Sequence, residues 1–120
     1  MLIFPRPLWC DKVDYTTLRA DYKEATKYGR VRLSRKRLYM QAPLGVRYVP
    51  LKNITRAYKR LAVSKGFFSD RKVKVFATLP YLVIRNSSGT EKVTLFKFEE
   101  ELDELLMALK THTDIPIGKP

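Results

Sequence analysis

At 120 residues and with a single cysteine, Cys10, the chain is long enough to bury one core and holds no intrachain disulfide. Its apolar fraction of 45% argues against general disorder, and no apolar run approaches the length of a membrane span. A formal net charge of +12 makes polyanions the expected partners: nucleic acid, anionic lipid headgroups or an acidic protein.

Residues 1–12 read as an irregular N-terminal arm, with Phe4, Leu8 and Trp9 set to pack on the domain or on a partner. The stretch from Met1 to Trp9 has no basic leading region and is interrupted by Pro5 and Pro7, so it reads as neither a signal peptide nor a spanning helix. Asp11-Lys-Val-Asp14 offers a helix start, with one acid at the cap and a second three residues on. Tyr15, Leu18, Tyr22 and Ala25 follow at near-helical spacing and predict a helix over 13–27, stopped by Gly29. The β-branched pair Thr16-Thr17 leaves a strand open there.

After Gly29 the period becomes two. Strands are expected at 30–34, 37–42 and 45–50, joined by the tight turn Ser34-Arg-Lys-Arg37 and by Ala42-Pro-Leu-Gly45, with Pro50 closing the third. The segment 54–64 reads as a long strand of weak period, for which a helix over 51–62 stays open. Lys65 to Arg71 reads as a loop. Strands at 72–78, 81–86 and 91–98 follow, the last two joined by the hairpin turn Asn86-Ser-Ser-Gly89. Leu102, Leu105, Leu106 and Leu109 form one apolar stripe on a helix over 99–111, with acids crowding its first turn and Lys110 in its last. Residues 112–120 read as a frayed tail.

This order predicts a mainly β, α+β fold. About seven strands form a bent antiparallel sheet or partly open barrel, with an N-terminal helix and a C-terminal capping helix, in a single domain over 13–111. The β part is the cationic part: from Gly29 to Phe98 there are 17 Lys or Arg against two acids, Asp70 and Glu91.

Two basic groups are candidate binding sites. Arg35, Lys36 and Arg37 at the turn suit a phosphate, because guanidinium presents a planar donor fork; a solvated hairpin tip is the plain alternative. Lys65, Arg71, Lys72 and Lys74, with Lys59 and Arg60, surround Phe67-Phe68. That aromatic pair suits insertion at an anionic membrane, stacking on single-stranded nucleic acid, or closure of a barrel end from beneath. Catalysis has little to build on. The only histidine, His112, lies beyond the last helix, Cys10 has no CxxC partner, and there is no glycine-rich phosphate loop. No metal or cofactor is expected.

Gly29-Arg-Val-Arg-Leu-Ser-Arg-Lys-Arg-Leu-Tyr-Met40 resembles the opening strands of bacterial PH-like and GRAM-like domains of the pleckstrin-homology superfold, and Val49-Pro-Leu-Lys-Asn-Ile54 resembles their apolar-Pro-Leu-x-x-Ile segment. The resemblance spans roughly 29–110 and implies a PH-like fold with a capping helix. Arg32 and Arg35-x-Arg37 partly match the basic positions with which many such domains grip phosphoinositides. The turn here is shorter than theirs, and the last helix lacks their tryptophan. The resulting expectation is a non-enzymatic, cytoplasmic binding or adaptor module, peripheral at an anionic membrane or bound to an acidic protein. Non-specific nucleic-acid binding is the alternative, as is self-association through the N-terminal arm.

Overall fold

The computed structural model describes residues 3–67 and 74–118, with side chains for all of these but 63–67 and 74–77. Helix α1 runs over Tyr15–Glu24, shorter than expected at both ends. Its cap is Asp14, whose carboxylate accepts from the Thr17 backbone N–H at 3.0 Å and the Thr17 hydroxyl at 2.7 Å. The β-branched pair thus serves the cap rather than breaking the helix. Ala25 ends the helix, and Thr26–Tyr28 forms a strand, β2, that the helical reading had absorbed. Gly29 is no helix stop. At φ 61° it opens the two-residue turn into the next strand, where a Cβ would lie 3.1 Å from Glu101 Oε1 and 3.3 Å from the Phe96 ring.

The first sheet has five strands in the order β1-β5-β4-β3-β2. β3 is Val31–Leu33, β4 Arg37–Ala42 and β5 Gly45–Pro50, close to expectation. β1, Arg6–Pro7, comes from the supposedly irregular arm and runs parallel to β5, with Arg6 opposite Arg47 and Pro7 opposite Tyr48. Both faces of this sheet are covered, which explains why Leu38, Tyr39 and Met40 are buried in succession instead of alternating. Leu38, Met40, Val31 and Val49 face the main core, while Tyr39, Val46 and Tyr48 pack beneath Leu18 of α1.

The second sheet has the order β6-β7-β8, with β6 Arg56–Phe67, β7 Lys74–Arg85 and β8 Glu91–Leu95. A single 3-10 turn, Leu51–Asn53, precedes it, so the helical option for 51–62 fails beyond that turn. Lys65 to Phe67 is strand rather than loop. The two strands expected on either side of Pro80 are one. Pro80 is tolerated because its carbonyl accepts from Phe96 N–H at 2.9 Å, at the point where the β8 ladder ends. The ring therefore removes a donor from the side of β7 that has no further strand partner. With β1 and β2 added and 74–85 forming one strand, the described residues hold eight strands in two sheets where seven in one were expected, and the two sheets are not closed into a barrel.

Helix α2, Glu99–His112, lies over the core with Leu102, Leu105 and Leu109 fully buried and Leu106 at the margin. Ala57, Leu82 and Ile84 of the second sheet and Phe96 complete that core. Of the expected frayed tail, His112 instead ends α2, and Pro116 and Gly118 exchange backbone hydrogen bonds with Ala57. Ile115 is buried, and Ile117 bridges Ala57 alongside β6.

Beyond Tyr81 no third strand pairs with β6–β7 among the described residues, and the rungs from Leu61–Pro80 to Phe67–Lys74 extend as a two-stranded arm of about 20 Å. The molecule measures 54 × 30 × 25 Å, and its radius of gyration of 15.9 Å exceeds the value of about 14 Å for a compact chain of this length.

Candidate functional site

The β3–β4 turn is fixed by one serine. Ser34 Oγ accepts from the backbone N–H groups of Lys36 (3.3 Å) and Arg37 (3.0 Å) and donates to Asp21 Oδ2 of α1 at 2.7 Å. The same oxygen accepts from Arg37 Nη1 at 3.2 Å and from the Tyr39 hydroxyl at 2.5 Å. Asp21 thereby ties α1 to the turn. Burial first, and the bond to Asp21 second, push the Tyr39 phenol well above the ordinary tyrosine range.

This network splits the predicted basic triplet. Arg37 is mostly buried and paired with Asp21, while it still lines a cleft with Arg35 and Lys36. Arg35 and Lys36 are exposed, and among the described residues neither lies within ion-pair distance of a carboxylate. Lys36 O accepts from Leu51 N–H at 2.9 Å, which brings the 3-10 turn, and with it Lys52, against the hairpin tip. Lys52 likewise has no ion-pair partner among the described residues. Together Arg35, Lys36 and Lys52 line a cleft of about 850 Å³ that also meets Cys10, Asp11, Pro50 and Asn53. Asp11 is its one acid, and no aromatic side chain lines it. Asn53 closes the wall by donating to Trp9 O at 2.8 Å. Burial pushes the Cys10 thiol up, disfavouring a thiolate nucleophile there. Arg35 also lines clefts on the far side of the tip, beside Glu24 and His112.

The second predicted group stands elsewhere. Lys65, Phe67 and Lys74 belong to the arm by register, Lys65 opposite Phe76 and Phe67 opposite Lys74; Phe68, Arg71 and Lys72 lie outside the described residues. Lys59, at the arm's base, binds Glu99 (2.6 Å) and Asp103 (2.8 Å) at the start of α2. Arg35 instead borders His112 and Thr113 at that helix's end, about 20 Å away, and β6 continues onward from Lys59. The described members of the second group, Lys65, Phe67 and Lys74, therefore lie along β6–β7 away from Arg35 and Lys36, and the described residues of the two groups do not form one site.

Lys52 was missed because it sits behind Pro50, in a segment that reads only as a strand end. Its one sequence signal is its place in Val49–Ile54, the stretch that carried the family resemblance. Glu91, one of the two acids in the β part, is paired with Arg85 (2.9 Å) and accepts from the Tyr58 hydroxyl (2.8 Å). Among the described residues there is no cluster of metal-ligating side chains and no helix long and apolar enough to cross a membrane. Compared with family models, curated proteins and solved structures, the chain matches none.

Proposed function

We propose that this chain is a non-enzymatic, PH-like binding module that associates peripherally with anionic lipid surfaces, taking a headgroup phosphate in the cleft of Arg35, Lys36 and Lys52. The observation that carries this reading is the set of three cations from two separate segments, lined up without a carboxylate partner while the neighbouring Arg37 is neutralised. Two sheets packed beneath a terminal helix suit the PH-like reading. A phosphate is the fitting ligand because Arg35 offers a bidentate fork and the two lysines add point charge. The cleft's lining has no aromatic side chain, which argues against stacking of single-stranded bases there.

Each cation near an anionic bilayer contributes about 1 kcal/mol. Replacing Arg35, Lys36 and Lys52 together with alanine is therefore expected to weaken co-sedimentation with phosphatidylserine-containing vesicles by roughly a hundredfold at low salt. Equal sedimentation of the intact protein with anionic and neutral vesicles would refute the reading.

A further inference from the structure

We propose that Ile3, Phe4 and Leu44 form an apolar knuckle that inserts into the same anionic lipid surface, an inference that rests on the lipid reading of the cleft. All three side chains are exposed, Phe4 by 73% and Leu44 by 72%. The fold goes to some length to hold them together. Val46 N–H bonds Ile3 O at 3.1 Å, and Gly45, at φ 138°, lies so close that a Cβ there would meet Ile3 O at 2.7 Å and Phe4 Cβ at 2.8 Å. Phe4 itself takes φ 45°, a left-handed conformation disfavoured for a residue with a Cβ and unusual before proline. Such a conformation, kept by a side chain that contributes little to the core, is stored at the surface and points to a task there.

Charge identifies the occupant. Directly behind the knuckle, Arg6 and Arg47 are register partners on β1 and β5, and neither has a carboxylate in ion-pair range among the described residues. Arg47 donates from Nη2 to Pro7 O at 3.4 Å, while its buried Nε has no partner among the described residues. Two adjacent, uncompensated arginines repel each other and call for an anion between them. A second copy of this chain would bring more arginine to the spot, whereas a bilayer brings phosphates above and acyl chains for the knuckle.

The N-terminal segment runs from the knuckle along β5 to Cys10 and Asp11 in the cleft. Knuckle, arginine pair and cleft thus share one flank about 20 Å long, the length of β5. A single surface lying against that flank engages all three.

The test uses vesicles of about 30% phosphatidylserine in phosphatidylcholine. Phe4→Ser with Leu44→Ser is expected to weaken binding roughly tenfold or more and to remove the binding that survives about 0.5 M salt, since apolar insertion is not screened. Both positions are exposed, so an unchanged thermal melt verifies the fold. In a Phe4→Trp variant, brominated acyl chains are expected to quench the added emission. Unchanged binding of the serine variant, or an unquenched tryptophan at position 4, overturns the knuckle while leaving the cleft reading intact. Conversion of a dimer to a monomer with vesicle binding unchanged overturns it too and makes the knuckle a subunit contact. Failure of the intact protein to bind these vesicles overturns both readings.

Discussion

Asp21 is the residue on which the candidate site turns. One carboxylate oxygen gathers Ser34, Arg37 and Tyr39, fixing the turn and removing Arg37 from the pool of free cations. The arrangement sets a pH dependence. The Tyr39 phenol ionises less readily folded than unfolded, so the unfolded chain releases its proton first as pH rises above 10.0. The unfolded state then binds fewer protons, and stability falls with pH, by up to about 1.4 kcal/mol per pH unit. Tyr39→Phe is expected to cost about 1 kcal/mol at neutral pH through the lost hydrogen bond. Because the variant lacks the titration, the gap in melting temperature between it and the parent closes as pH passes 10; a gap that widens contradicts this role. The triplet Arg35-Lys-Arg37 was legible in the sequence, but its division was not. Asp21 lies 16 residues from Arg37, and only the docking of α1 brings them together.

At the scale of elements, the sequence revealed what local patterns control. Period two placed β4 and β5 almost to the residue, and the leucine stripe placed α2. Elements set by partners were hidden. β1 exists because β5 offers it an edge, β2 because β3 does, and Pro80 interrupts nothing because β8 stops beside it. The weak period of β6 has a similar cause. Lys59 takes a position between the buried Ala57 and the exposed Leu61, where it meets the acids of α2 instead of an apolar core. Lys59→Met is accordingly expected to cost no more than about 1 kcal/mol in urea unfolding, the scale of a partly exposed ion pair. High salt should erase the difference; a loss that persists at high salt would mean that the lysine stem, not its charge, holds α2.

The whole molecule is a two-ended object. A compact end carries the cleft and the β1–β5 flank, and the β6–β7 arm carries Lys65 and Lys74 away from it. Composition exposed the cationic character of the β part but not this separation, because charge counts carry no direction and the arm's length depends on where β8 ends. The separation makes the central claim testable by matched charge reversal. Lys36→Glu with Lys52→Glu changes the cleft, and Lys65→Glu with Lys74→Glu changes the arm by the same net charge. Measured by co-sedimentation with anionic vesicles at low salt, the cleft pair is expected to lose roughly a thousandfold in affinity and the arm pair no more than about threefold. Equal losses, or a greater loss from the arm pair, would contradict a lipid site at the cleft.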